Sequence, residues 1–229
     1  MVYIPFSSLA YIFAGTACLA YSFHYHKIWK KTGNIYSKMF WELGLWIAFA
    51  EYLYGFPLLI YPEPHYIKSI LWFLASFAVF TGIARGPLQI ALISWGYENA
   101  AKIARFIVPL GIGFLSLINF LYYRPSSYTD NYGIIHWDIN HPFDLLWFTA
   151  GILVTFIPAI FLFLSKAESK KAIVKKALFS ITFLFGGLGG LGTVIFKDQL
   201  LLAVSFMIFF LGYVALAAMV VMDITMKEA

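Results

Sequence analysis

Charged side chains are scarce in this sequence. Only 12% of its 229 residues are Asp, Glu, Lys or Arg, about half the share of roughly 25% found in soluble domains. Instead, 62% of the residues are hydrophobic and 20% are aromatic, and the mean hydropathy is +0.80. A polar surface cannot be built from so few charges, so the composition excludes a large soluble domain and indicates an integral membrane protein.

Residues that usually carry catalysis or bind cofactors are also missing. Cys18 is the single cysteine, which excludes an internal disulfide. Neither H-E-x-x-H nor G-x-S-x-G occurs, and no lysine stands midway in the last apolar run to form a retinal Schiff base. We therefore predict neither an enzyme nor a bound cofactor. A basic soluble segment is absent too, which excludes nucleic acid as a partner.

What the sequence does contain is apolar runs of membrane-spanning length. A helix needs about 20 such residues to cross a hydrocarbon core about 30 Å thick. Seven runs meet this requirement, at about 3–23, 39–61, 68–95, 104–123, 143–164, 176–196 and 199–222. The predicted fold is therefore all-α: a single domain, 1–229, forming an integral membrane bundle of seven transmembrane helices.

Positive charges are distributed unevenly between the loops that join these runs. Basic residues crowd the loops after the first, third and fifth runs, whereas the loops of the other side hold only Lys68, Arg124 and Lys197. Since cytoplasmic loops are enriched in Lys and Arg, the N-terminus is predicted outside and the C-terminus in the cytoplasm, in a multi-pass protein of the cell membrane. The inner basic residues also predict contact with anionic membrane lipids.

The second and third runs carry polar residues at depth. Glu51 lies near the middle of the second run, and Thr81, Arg85 and Gln89 recur every four residues on one face of the third. Pro87 predicts a kink beside this stripe. Charged residues within spans usually face the protein interior and have a partner, so we predict that Glu51 and the stripe form an intramembrane polar site. Two readings stay open, a structural Glu51–Arg85 ion pair and a cavity for a ligand, proton or ion.

Glycines are concentrated in the sixth run, in FGGLGGLG at 185–192. A phosphate-binding loop is excluded because no Lys-Ser/Thr pair follows. Gly186 and Gly190 form a G-x-x-x-G pattern, which lets another helix approach closely. We predict that these two glycines serve helix packing or a hinge.

The longest loop, 123–142, is rich in aromatic residues and lies on the predicted outer side. Loops of this length often cap or line a site. We therefore predict that it forms an outer lid with Tyr128, Tyr132 and Trp137.

The same loop also offers imidazole and carboxylate groups. His136, Asp138 and His141 are residue types that bind divalent metals. Their spacing matches no established ligand signature, so we predict no metal there.

The segment that joins the first two runs is HKIWKKTGNIYSKMFWELGLWIAF, with basic residues after a span, a short TGN turn and an amphipathic aromatic entry. In these features and in topology the chain resembles the seven-helix membrane sensor regions of bacterial and archaeal signalling kinases. The resemblance implies a sensor followed by a cytoplasmic output domain, and it identifies no functional residue. Because the chain ends soon after the seventh run, we expect a separate cytoplasmic or membrane signalling partner.

Three functions are compatible with these observations. The leading hypothesis is a small receptor-like or sensor protein that binds a small molecule or lipid in a polar intramembrane pocket. The second is a transporter or channel for ions or small solutes, which the kinked third run favours. The third is an accessory subunit of a larger membrane complex, which the short chain favours.

Overall fold

The computed structural model describes residues 5–60, 66–123, 127–137, 139, 143–164 and 169–225. These residues are nearly all helical, because a bilayer offers no water to backbone N–H and C=O groups and helices satisfy those groups internally. The helices are α1 (Phe6–Thr32), α2 (Ile35–Ile60), α3 (Tyr66–Arg85), α4 (Pro87–Ser94), α5 (Glu98–Tyr123), α6 (Phe143–Leu164), α7 (Lys170–Ile181), α8 (Gly187–Ile195) and α9 (Gln199–Thr225). A π segment, Thr182–Gly186, joins α7 to α8.

Six helical segments in these described ranges are long and apolar enough to cross a membrane. They are Phe6–Thr32, Ile35–Ile60, Tyr66–Ser94, Glu98–Tyr122, Lys170–Ile195 and Gln199–Thr225. Helix α6 is apolar as well and is 22 residues long. The structure therefore has the character of a multi-pass membrane protein, with several helices longer than the predicted runs.

The turn between α1 and α2 shows why the first helix is longer than predicted. Helix α1 continues past residue 23 to Thr32, where Trp29 stacks on Trp41 of α2 with ring centroids 5.2 Å apart. Gly33 ends it in the left-handed conformation (φ 68°), which glycine adopts without strain. The Asn34 side chain then begins α2 by accepting the backbone N–H of Tyr36 at 2.8 Å. We call this end of the bundle the Asn34 end.

Small residues bring α1 and α2 into close contact along their length. A Cβ added at Gly44 would lie 2.9 Å from the carbonyl oxygen of Cys18, and one at Gly55 would lie 2.9 Å from Ile12. This close approach places Tyr11 and Tyr21 of α1 among buried residues next to α2.

The third predicted span is broken, as its proline indicates. Gly86 separates α3 from α4 with φ −104° and ψ −105°, and Pro87 is the first residue of α4. Proline cannot donate to the carbonyl four residues earlier, which weakens the helix here, and Gly86 beside it permits the backbone angles of the break. A Cβ at Gly86 would lie 2.9 Å from Cβ of Leu43, which sets the break beside the first half of α2.

The glycine-rich segment packs closely on α9, through Gly189 and Gly192 as well as the predicted Gly186. A Cβ at Gly189 would meet the Phe209 backbone, with Cα at 2.6 Å, and one at Gly192 would meet Cβ of Ser205 at 2.9 Å. At Gly190 the nearest atom would be a Phe209 ring carbon at 3.6 Å, an ordinary contact. Gly186 also has room for a methyl group, although its own backbone lies against Gly212 of α9.

A two-stranded antiparallel hairpin follows α5, where only a loop was expected. Tyr128–Thr129 (β1) pairs with Ile135–His136 (β2), and Gly133 turns the chain with φ 77°. The Ser7 hydroxyl fastens the hairpin to α1 by donating to the Gly133 carbonyl at 2.9 Å. We call this end of the bundle the hairpin end.

Candidate ligand site in the helix bundle

A cavity of about 120 Å³ lies inside the bundle. Its walls come from α1, α2, α3, α6, α7, the π segment, α8 and α9, together with Trp137 after the hairpin. Aromatic rings make up much of this surface. A cavity of about 150 Å³ accommodates a single benzene ring. This space is somewhat smaller but is not fully enclosed, so it suits a ligand of about the size of one ring.

Glu51 supplies the carboxyl group of the cavity wall. Its side chain is 3% exposed, and its Oε1 accepts the Tyr213 hydroxyl at 3.1 Å. The other oxygen, Oε2, is buried without a hydrogen-bond partner among the described residues. The contact between Gly212 and Gly186 holds α9 close enough to present Tyr213 from the opposite wall. One acceptor of Glu51, a residue that lines the cavity, is therefore left without a partner in the described part of the chain.

Two indole groups line the cavity nearer the hairpin end. Trp72 of α3 and Trp147 of α6 have ring centroids 6.0 Å apart and are 4% and 8% exposed. Neither Nε1–H has a partner among the described residues. The Tyr21 hydroxyl, on another lining residue, is also buried without a partner in the described ranges. Leaving a buried donor or acceptor unpaired costs about 1–3 kcal/mol, so four such groups in side chains around one cavity need a physical explanation.

The hairpin covers the cavity at its own end of the bundle. Trp137 is buried, lines the cavity, and donates its indole N–H to the Tyr11 hydroxyl at 3.0 Å. Its carbonyl accepts the Lys197 ammonium at 3.0 Å, which ties the hairpin to the connection before α9. Of the predicted lid residues, Trp137 is thus on the cavity, whereas Tyr128 and Tyr132 are exposed.

Of the three candidate metal ligands, His136 lies within the described residues. His136 stacks on Tyr128 with ring centroids 4.7 Å apart and shares a hydrogen bond of 3.1 Å with Asp130. Asp138 and His141 lie outside the described residues. No group of three or more metal-binding side chains occurs in the part of the chain that the structure describes.

Asp130 organises the hairpin rather than the cavity. Its carboxylate accepts the backbone N–H groups of Tyr132 and Ile134, both at 2.9 Å. Partial burial by itself would raise the pKa of Asp130, but these two N–H groups and His136 outweigh it and lower the pKa below its ordinary value.

The predicted polar stripe on the third span lies away from the cavity. Thr81 donates its hydroxyl to the Phe77 carbonyl of its own helix at 2.7 Å. Arg85 lies over the Trp46 ring, 5.9 Å from its centroid, and Gln89 is half-buried. Among the stripe and Glu51, only Glu51 lines the cavity.

The expected Glu51–Arg85 pair does not form between these described residues, and depth is the reason. Glu51 is nine residues from the end of α2, and Arg85 is nineteen residues from the start of α3. At about 1.5 Å per residue, the two side chains start roughly 15 Å apart along the bundle. Gly82, one turn before Arg85, packs at the level of Trp46 rather than of Glu51.

A second polar cluster joins three helices at the Asn34 end. Asp223 of α9 is buried and lies 2.7 Å from Nζ of Lys175 in α7 and 3.4 Å from Nε2 of His24 in α1. No local sequence pattern groups these residues, because they come from three distant segments. The one indication in the sequence is that positions 24, 175 and 223 are ionisable residues near helix ends.

Tyr213, Trp72 and Trp147 were also missed. Each stands in a helix that is apolar on nearly every side, so no amphipathic pattern indicates which face meets the cavity. Comparison with known proteins adds no further assignment: no family model matches the chain, and no match is found among curated proteins.

Proposed function

We propose that this chain is a seven-helix membrane protein of the receptor or sensor type, which binds a small molecule in the cavity around Glu51. One observation carries the proposal: Glu51 Oε2 and the indole N–H groups of Trp72 and Trp147 are buried and unpartnered within the described structure, and all three side chains line the same cavity. Buried polar groups are normally hydrogen-bonded. A bound molecule would supply the partners that the surrounding protein lacks.

The seventh span in this proposal is α6, whose apolar length of 22 residues suffices for a bilayer. The proposed orientation puts the hairpin end outside and the Asn34 end in the cytoplasm, because Lys and Arg concentrate at the latter. A cysteine at exposed Tyr132 should react with an impermeant reagent from outside, and one at exposed Ser169 only from inside. Labelling of both from one side of sealed cells would contradict the topology.

A signalling role is supported by the path of α9. This helix carries Tyr213 at the cavity and Asp223 at the Asn34 end, ten residues or about 15 Å apart. A ligand that takes over the hydrogen bond between Tyr213 and Glu51 would change the forces on α9. The cluster with Lys175 and His24 would then be the place where a cytoplasmic or membrane partner detects the change.

The binding function is tested with three ring-sized probes, benzylamine, benzyl alcohol and benzoate. Equilibrium dialysis against the protein in lipid nanodiscs, with empty nanodiscs as baseline, should show saturable binding of at least one probe. Gly190→Leu should abolish it, because Gly190 lines the cavity and a larger side chain there enters the free space. Gly111→Leu is the matched control, since a Cβ at Gly111 meets nothing within 4 Å.

Absence of saturable binding of all three probes, or equal binding by the Gly190→Leu variant, would refute a ligand site in this cavity. Gly190→Ala keeps the experiment interpretable if the leucine variant is poorly folded. A methyl group fits beside Phe209 in ordinary contact, so this variant should fold and bind as the wild type does.

A transporter remains the second candidate, and the interrupted helices favour it. The break at Gly86 and the π segment Thr182–Gly186 give two of the helical segments points at which their halves can move separately. Uptake of a bound probe by sealed proteoliposomes, lost in Gly190→Leu, would support transport. Binding without uptake would favour the receptor.

A further inference from the structure

The described residues of the cavity wall include an acidic side chain but no basic one. Among the described residues that line it, Glu51 is the only acidic side chain, and Lys, Arg and His do not occur. Arg85, the predicted partner of Glu51, lies over Trp46. It is roughly 15 Å from Glu51 along the bundle axis. The field inside the cavity is therefore set by one carboxyl group with a free oxygen.

Aromatic rings form a connected cluster around this carboxyl. Tyr213 donates to Glu51 at 3.1 Å and packs on Phe209 with ring centroids 4.8 Å apart. Phe209 is 5.4 Å from Tyr11, which is 5.2 Å from Tyr54. Tyr54 follows Glu51 by three residues on the same helix, so the two lie on neighbouring positions of one face. Ring faces attract cations, most strongly where water is excluded.

We infer that the ligand of this site is a small protonated amine, with an N–H group donating to Glu51 Oε2 and the cationic centre packed against the surrounding rings. This inference rests on the proposed binding function and names the chemical class of its ligand. An ammonium group satisfies the free carboxyl oxygen, and it compensates a charge that the bilayer interior otherwise disfavours.

The indole N–H groups of Trp72 and Trp147 favour a different class of ligand. As donors they would donate to an oxygen of a neutral or anionic ligand. An anion would, however, stand in the same small cavity as Glu51, without a basic side chain among the described lining residues to offset the repulsion. The amine is therefore the class that the charge distribution favours, and the indoles remain available to any acceptor atom it carries.

The three probes separate these possibilities because they share a ring and differ in charge. Benzylamine should bind the wild type about tenfold or more tightly than benzyl alcohol, and benzoate should bind most weakly. In Glu51→Gln, the preference for benzylamine should fall to less than about threefold, while the affinity for benzyl alcohol stays unchanged. Glutamine keeps the size of the side chain and an acceptor for the Tyr213 hydroxyl.

Glu42→Gln is the matched control, since it makes the same change on the same helix outside the cavity, where Glu42 lies 3.9 Å from Lys38. It should preserve the full preference for benzylamine. If benzyl alcohol or benzoate binds as tightly as benzylamine, or if the preference survives in Glu51→Gln, the amine assignment is overturned while the cavity stands as a binding site. If none of the probes binds, the binding function itself fails.

Discussion

Adjacent glycines in α8 should respond to the same substitution in opposite ways. A Cβ at Gly189 would lie 2.6 Å from Cα of Phe209 and closer still to its backbone N, whereas ordinary contact begins at 3.4 Å. Helices α8 and α9 must therefore separate by about 1 Å. At Gly190 the nearest atom is already 3.6 Å away. Gly189→Ala therefore disrupts the interface, and Gly190→Ala does not.

The magnitude follows from the size of this displacement. A gap of about 0.5–1 Å forfeits a quarter to a half of the dispersion energy of the contacts concerned, and overpacking typically costs about 1–3 kcal/mol. Alanine in place of glycine returns at most about 1 kcal/mol through helix propensity. We expect Gly189→Ala to lose about 1–2 kcal/mol, equivalent to a fall in Tm of roughly 2–8 °C for a chain of this length.

Thermal unfolding in detergent, followed by tryptophan fluorescence, measures the difference. Gly190→Ala should melt at or slightly above the wild-type Tm, and so should Gly111→Ala, where the added methyl group meets nothing. The three variants differ only in what the new methyl group contacts. If Gly189→Ala melts at the temperature of the other two, the backbones of α8 and α9 do not touch at this point and the reasoning is wrong.

Three further outcomes test polar contacts. Because hydrogen bonds hold the pKa of Asp130 below its ordinary value of about 3.9, its carboxylate stabilises the hairpin above that pH, and the contribution is lost as pH falls through the lower folded-state value. Hydrogen exchange of 127–137 should therefore accelerate below about pH 4 in the wild type relative to Asp130→Asn, and an equal response of the two would refute this. Lys175→Gln should lower Tm more than Asp223→Asn does, because Asp223 is buried whereas Lys175 reaches solvent; the reverse order contradicts it. Arg85→Gln should cost no more than about 1 kcal/mol if a tryptophan face is its main contact, and a loss of about 3 kcal/mol or more would reveal an ion partner.

The sequence predicts the helical architecture well because spanning helices leave long apolar runs. The break at Pro87 and the turn at Gly33 also follow from local chemistry, since proline removes a donor and glycine permits a positive φ. The hairpin was not predicted, because its two-residue strands are too short to show an alternating pattern. Its stability comes from Asp130 and from Ser7, a residue of α1 more than a hundred positions away.

Of the candidate site, the sequence predicted Glu51 in the wall and Trp137 in the cover. A single carboxyl residue is easily recognised in an apolar run. Its hydrogen bond with Tyr213 depends on how α9 is rotated about its axis, which the sequence does not indicate. Arg85 was assigned to the same site because depth was judged from run boundaries, and an error of a few residues at each end changes depth by several ångströms. Gly186 and Gly190 fit a spacing rule, but the interface with α9 uses Gly189 beside Gly186, and Gly190 makes only ordinary contact.

The π segment sets the angular phase between the two halves of its helix. Each residue of an α-helix turns the chain by about 100°, so the extra residue of a π turn rotates everything before it relative to everything after it. Lys175 can thus face Asp223 while Gly189 faces Phe209, although both targets lie on α9. A continuous α-helix through the same residues would turn Lys175 by about 100° relative to Gly189, so just one of these two contacts could remain in place.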